Sequence, residues 1–179
     1  AAQAAHLLES DMNYEFVPGD TIEIKSGKVL HRIRATTYIE PQGVKPGNLG
    51  GYIERSRNLC GNARVSGEAQ VYGNAQVYGN AWVYGEAQVY GNAMINENGL
   101  IFWASKVGSE NGTLTVYNTT SNELEVTRGC FSGSVDDFLA ASKAKHDDDT
   151  HREYRLLIEV AVSRITRARE RLEQTRPRN

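Results

Sequence analysis

Side chains capable of chemistry concentrate in the last third of the chain. The run His146-Asp147-Asp148-Asp149-Thr150-His151 brings two imidazoles and three carboxylates together, the ligand types that hold a divalent metal. It lacks the i, i+4 spacing of a helical metal motif, and acids ahead of a helix are what capping and the helix dipole favour; no metal is assigned. Cys130 and His146 offer a nucleophile and a base. Gly129-Cys130-Phe131-Ser132-Gly133 matches no nucleophile motif, however, so Cys130 is read as structural. Aromatic and guanidinium groups offer something else. Trp103 or Phe131 can stack on a base and Arg128 or Arg152 can hold phosphate; with Tyr154 these form the candidate site for a nucleotide-like small ligand. The competing reading is core packing for the rings and surface solubility for the arginines. Arg164, Arg167, Arg169, Arg171, Arg176 and Arg178, against only Glu170 and Glu173, make a basic tail that attracts polyanions, nucleic acid among them.

The elements that must position these groups are announced by a repeat. Six consecutive hexads open at Gly61, Gly67, Gly73, Gly79, Gly85 and Gly91: GNARVS, GEAQVY, GNAQVY, GNAWVY, GEAQVY and GNAMIN. An aliphatic column at spacing six runs through Ile53, Leu59, Val65, Val71, Val77, Val83, Val89, Ile95, Ile101 and Val107, and Ala63, Ala69, Ala75, Ala81, Ala87 and Ala93 form a second column. A period of six excludes a helix, whose faces recur at 3.6, and a simple two-sided strand, whose faces recur at two. A short strand plus a corner fits it, with the Gly-Asn or Gly-Glu pair supplying the permissive backbone. Each unit then buries its apolar side chains only by stacking on the next, as in a parallel β-helix.

The aliphatic followed four residues later by a small residue resembles the hexapeptide-repeat left-handed β-helix family over about Ile53 to Val107. The resemblance implies a left-handed parallel β-helix of about three coils, three hexads to each triangular coil, and hence residues 18 apart stacked at the inter-strand spacing of about 4.8 Å. Tyr72 then lies over Tyr90, Tyr84 over Phe102, Trp82 between Arg64 and Leu100, and Glu68 over Glu86, a carboxylate pair that needs solvation, a cation or a basic partner. Relatives of this scaffold pack three β-helices side by side, so the resemblance implies a homotrimer, with Tyr72, Tyr78, Trp82, Tyr84 and Tyr90 as the oligomer or partner surface. Family enzymes of this scaffold, acyltransferases and γ-class carbonic anhydrases, depend on His in or near the coils. Here His31 precedes the repeats and His146 and His151 follow them, so no enzyme is expected.

The flanks read as two further units. Residues 1–11 join abruptly to Met12 like an expression scar and are set aside. Residues 12–52 form an N-terminal β cap, interrupted by turn signals at Pro18-Gly19-Asp20 and Ser26-Gly27-Lys28 and ending in a Gly- and Pro-rich junction at 41–51. The repeat region spans 53–108. Within 109–179, Thr113 to Tyr117 and Glu123 to Thr127 read as a β-hairpin, Ser134 as the N-cap of a short helix, and Thr150-His151-Arg152-Glu153 as a capping box. The long helix that follows carries a seam of Tyr154, Ile158, Ala161, Ile165, Ala168 and Leu172, which either docks on its own domain or forms a coiled coil. The fold class is mainly β, with a C-terminal α+β unit ending in a long helix.

Composition bounds the function. With Lys+Arg 20 against Asp+Glu 22 and 40% hydrophobic residues, the chain is neither a polycation nor disordered. It has no apolar run of membrane-spanning length and no export signal, and two Cys suggest a reducing compartment. LHRIRA, NLGGYIE, the GNAxVYG repeats, IFWASKVGSENGTLTVY and TRGCFSGSVDDFLAASKAKH together resemble a group of phage-encoded hexapeptide-repeat proteins. That resemblance implies a small phage accessory protein in the host cytoplasm, acting against host defence. Three tasks follow as expectations: sequestering a nucleotide-type signal, inhibiting a host defence protein or nucleic-acid machine as an oligomer, or serving in virion assembly. No cofactor is expected.

Overall fold

The computed structural model describes residues 12–40 and 42–175; residues 1–11, Pro41, and Arg176 and Arg178 of the basic tail lie outside them. Strands β1 (Tyr14–Glu23) and β2 (Val29–Ala35) form an antiparallel hairpin, and β3 (Leu49–Ile53) pairs antiparallel with β2 on one side and parallel with the repeats on the other. The repeats give two-residue strands: β4 (Arg64–Val65), β5 (Gln70–Val71), β6 (Gln76–Val77), β7 (Trp82–Val83), β8 (Gln88–Val89) and β9 (Met94–Ile95). Then come β10 (Ile101–Val107), β11 (Gly112–Asn118), β12 (Leu124–Arg128) and β13 (Phe131–Ser134), an antiparallel sheet in chain order, and the helices α1 (Val135–Lys145) and α2 (Asp148–Thr175). Among the described residues no helix is long and apolar enough to cross a membrane.

The repeat strands pair in parallel at a register of 18 residues. Tyr52 meets Gln70, which meets Gln88; Arg64 meets Trp82; Gln76 meets Met94. Between units the amide of residue i donates to the carbonyl of residue i+17, as from Arg64 to Ala81, Ser66 to Val83, Gln70 to Ala87 and Gln76 to Ala93, at 2.9 to 3.0 Å. The corners turn at the six repeat glycines, all with φ between +63° and +68°, a region that side chains disfavour. Inside, Val65, Val71, Val77, Val83, Val89 and Ile95 and the alanine column are fully buried.

The aliphatic column does not continue to Val107 as its spacing implied. Positions 97 and 103, where the next two corners would fall, are Glu and Trp; the chain makes a 3-10 turn at Asn98–Leu100 and runs straight as β10, antiparallel to β11. Ile101 remains buried, whereas half-buried Val107 faces Gly112 across that antiparallel ladder. Two turn signals are also revised. Pro18-Gly19-Asp20 is a bulge inside one long strand, where the β1–β2 register shifts between Phe16 and Thr21. The junction at 41–51 already contains the start of β3, because Gly50 and Gly51 let that strand approach closely: a Cβ on Gly51 would sit 2.5 Å from the Ala69 carbonyl oxygen.

Both ends of the solenoid are covered. At the first, Tyr14, Ile33 and Ile53 join the core, and Arg32 stacks on Tyr52 at 4.1 Å while donating to the Gly50 and Gly67 carbonyls and pairing with Glu68. Glu68 therefore finds its basic partner within the chain. Glu86 instead accepts from Thr113 Oγ1 at 3.1 Å. At the other end Gln88 N donates to Thr115 Oγ1 and Thr127 Oγ1 donates to Gln88 O, tying the antiparallel sheet to the last repeats. Helix α2 lies over the Asn98–Leu100 turn and the sheet with Tyr154, Ile158, Ala161 and Ile165 buried, and Gly99 leaves room for Ala168 against it. The heptad seam thus docks on its own domain. The expected capping box is absent: α2 starts earlier, Asp147 Oδ1 caps the Thr150 amide at 2.7 Å, and Glu153 accepts from Gly108 N at 2.8 Å.

Glu54 supplies a testable lock between cap and solenoid. It accepts from Gly73 N at 2.7 Å and pairs with Lys28 at 2.9 Å. Burial pushes its carboxyl up, but the Gly73 amide and Lys28 together outweigh that and hold it below the usual carboxylate range. A depressed folded-state pKa gives stability that is complete above the unfolded value and lost as pH falls through the folded one. Glu54→Gln should cost about 1–3 kcal/mol at neutral pH in denaturant unfolding, the difference from wild type shrinking below about pH 4. For the register, Val77→Asp buries an unpaired charge and should abolish cooperative melting by circular dichroism, whereas the neighbouring exposed Gln76→Asp should melt within about 1 kcal/mol of wild type.

Candidate functional site

The β12–β13 turn, α1 and the first turns of α2 surround an open cleft of about 280 Å³. Its walls follow from local sequence. Gly129, at φ +59°, turns the chain tightly between β12 and β13, so Arg128 and Phe131 end up paired across the turn. Ser134 accepts from the Asp137 amide and starts α1, whose 3.6-residue period then places Phe138, Ser142 and Lys145 on one side. Phe131, Phe138 and Tyr154 form an edge-to-face chain with 5.2 Å between successive centroids, and Tyr154 is nearly fully buried beneath the cleft.

Arg128 is the electrostatic centre of this cleft. Its guanidinium lies over Gly112, where a Cβ would meet Nη1 at 2.4 Å were one present, and 5.9 Å from the centroid of the Tyr154 ring. Nη2 donates to the Val107 carbonyl at 3.2 Å, and Nε is buried without a hydrogen-bond partner. Among the described residues no carboxylate lies within ion-pair distance of Arg128. Lys145 adds a second cation to the rim, His146 an imidazole, and Glu110 is the acid lining the same space.

Three of the five expected ligand residues, Arg128, Phe131 and Tyr154, therefore meet. Trp103 and Arg152 do not join them. Trp103 sits edge-on to Tyr84 at 4.5 Å, and Arg152 is exposed on α2 away from the cleft. Lys145 and Phe138 were legible only as an i, i+7 pair on α1. The alternatives weighed for this region also resolve. His146 Nδ1 lies 3.5 Å from Ser109 Oγ, with its ring 5.7 Å from that of Tyr154, and no hydrogen bond joins it to Cys130. The Asp147 carboxyl is spent as the α2 cap, and the Thr150 amide it accepts from holds it below the usual range. Among the described residues no group of three or more His, Cys, Asp or Glu is arranged to hold a metal.

The expected partner surface divides into separate places. Tyr72 and Tyr90 stack at 4.7 Å and 16°, as an 18-residue register requires, yet both are half-buried and Tyr90 donates to the Phe131 carbonyl at 3.1 Å. Burial pushes both phenols up. Trp82 and Tyr84 form another strip: Arg64 covers Trp82 at 4.8 Å, Trp82 Nε1 donates to Ser66 Oγ, and Tyr84 is 47% exposed. Tyr84 meets Trp103 and not Phe102, because the 18-residue register ends where β10 begins. Tyr78 lines a second cleft. Of the basic tail, Arg164, Arg167 and Arg171 are exposed, while Arg169 is tied to Asn118 and the Glu123 carbonyl.

Residues 59–73, 69–85 and 87–101 each match a family model described as the YdcK Beta solenoid repeat. Comparison with curated proteins and with solved structures finds no match. The matched segments are the hexads whose amides and carbonyls join at 18-residue register, and residues 59–101 form a β-solenoid of such repeats.

Proposed function

We propose that this is a non-enzymatic binding protein that sequesters a nucleotide-type small molecule in the cleft at the β12–β13 turn. One observation carries the reading: an Arg128 guanidinium with no carboxylate partner among the described residues stands beside the half-buried Phe131 ring. Phosphate needs a fork of N–H donors not already neutralised, and a base needs an aromatic face. Arg128 supplies the first, Phe131 the second, and Lys145 and His146 add donors at the rim. The setting that the resemblances suggest is a phage-encoded homotrimer of left-handed β-helices in the host cytoplasm, with the bound molecule a signal used in host defence.

A second reading has its own support. The Arg64–Trp82–Tyr84–Trp103 strip, half-buried except at exposed Tyr84, has the aromatic and arginine composition favoured where one protein docks on another, and fits an oligomeric inhibitor of a host protein. Assembly by open-ended stacking is disfavoured, because the β1–β2 hairpin and the antiparallel sheet cover the two ends of the repeats.

Native mass spectrometry of the purified chain, followed by a thermal-shift screen of nucleoside phosphates and cyclic dinucleotides, tests the first reading. At least one such compound should bind and raise the melting temperature. Arg128→Ala should weaken it by about 100-fold or more and Lys145→Ala by about 3- to 10-fold, with oligomer mass unchanged. Wild-type affinity in Arg128→Ala would overturn the assignment.

A further inference from the structure

A second cleft, of about 340 Å³, opens on the other side of the C-terminal unit between the last repeats, the β11–β12 turn and the end of α2. Its size is at the lower end of the range for small-molecule sites, about 300–1,000 Å³. Its apolar lining comes from Met94, Leu100 and Leu172, and its polar lining includes Tyr78, Asn96, Thr120, Asn122, Arg169 and Glu173.

Arg169 is held from behind and left open in front. Nε donates to Asn118 Oδ1 at 2.7 Å and Nη2 to the Glu123 carbonyl at 3.1 Å, both neutral acceptors. Among the described residues no carboxylate is within ion-pair distance, although Glu173 lies one helical turn further along α2. Among the described residues Nη1 makes no hydrogen bond, and Arg169 lines the cleft. The fork is thus oriented before any ligand arrives. The side chains of Asn96, Asn122 and Thr120 make no hydrogen bonds within the described chain. They offer two amides and a hydroxyl, each able to donate and accept.

We propose that this cleft binds a small phosphorylated sugar, with its phosphate on Arg169 and its hydroxyls on Asn96, Asn122 and Thr120. A guanidinium already fixed by two neutral oxygens matches a phosphate monoester, and amides match vicinal hydroxyls. Glu173 sharpens the choice of ligand. It repels any phosphate, ester or free, and accepts from a hydroxyl, so the sugar's hydroxyl contacts are needed to offset that repulsion. Tyr78 adds a phenol, protonated at neutral pH and able to donate.

The test is a titration of the ¹⁵N-labelled full chain with glucose 6-phosphate, glucose and inorganic phosphate, followed by nuclear magnetic resonance. Glucose 6-phosphate should shift the side-chain amide signals of Asn96 and Asn122 and bind at least about tenfold more tightly than either fragment. Arg169→Gln should remove that gain. Because Arg169 also clamps the β11–β12 turn, Asn96→Leu, which fills the cleft and leaves both Arg169 bonds in place, should remove it too. Arg128→Ala should leave it unchanged. The proposal is overturned if those amides do not shift by about 10 mM ligand, if inorganic phosphate binds as tightly, or if Asn96→Leu keeps wild-type affinity. Loss of binding in Arg128→Ala would overturn it as well, by locating the ligand in the first cleft.

Discussion

Everything in this molecule depends on the amide of residue i reaching the carbonyl of residue i+17. A two-residue strand has too few hydrogen bonds to persist alone, and a hexad has too little apolar surface to bury alone. The ladder solves both problems at once. It joins each strand to the strand one coil later, and the same register drops Val71 onto Val89 and Val77 onto Ile95, closing an interior of valine and alanine with no polar side chain among those columns. The glycine corners are its precondition. With the backbone at φ near +65° every six residues, the chain can turn before the pleat would carry the valine to the wrong face.

Such a ladder must be stopped at both ends, since an uncovered coil offers unpaired amides and carbonyls to any strand. The two ends are handled by different physics. At the first, β3 is antiparallel to β2 and parallel to β5, so one strand converts a hairpin into a solenoid. Charge fixes the joint: Arg32 bridges β3 and the Gly67 corner, and Glu54 ties Lys28 to Gly73 N. At the other end the stop is a change of sequence. Once the corner glycines cease, a 3-10 turn at Asn98–Leu100 takes the place of the next corner, the chain runs straight as β10, and β11 to β13 and α2 form a lid. The Tyr72–Tyr90 stack, which in a longer solenoid would face outward, becomes part of the seam beneath that lid.

The legibility of the sequence follows from this division. The repeats were readable to the residue because one rule, period six, governs both backbone and burial, and every repetition adds to the signal. The lid was readable element by element: the hairpin, the Ser134 cap and the α2 seam each rest on local chemistry. What could not be read was how those elements meet. Trp103 and Phe131 look alike in sequence, yet one is edge-on to Tyr84 and the other lines a cleft, and only the point where β10 departs from the solenoid separates them. Glu153 shows the same limit. Its position in Thr-x-x-Glu suits a capping box, but Gly108 N, 45 residues earlier, is the donor it serves.

The division also places the chemistry. A stack of identical units is a poor host for a site, since each position repeats its neighbours and the interior admits only small apolar groups. Individual residues acquire distinct surroundings only where the repetition ends. Both clefts are there, and each sets an arginine with no acidic partner among the described residues against a wall built from different elements, Arg128 at the β12–β13 turn and Arg169 at the β11–β12 turn. Neither guanidinium is loose. Backbone carbonyls, Val107 for one and Glu123 for the other, orient them before anything binds, so little ordering remains when an anion arrives. The solenoid contributes stiffness: a ladder that resists bending holds the sheet, and the sheet holds the two forks.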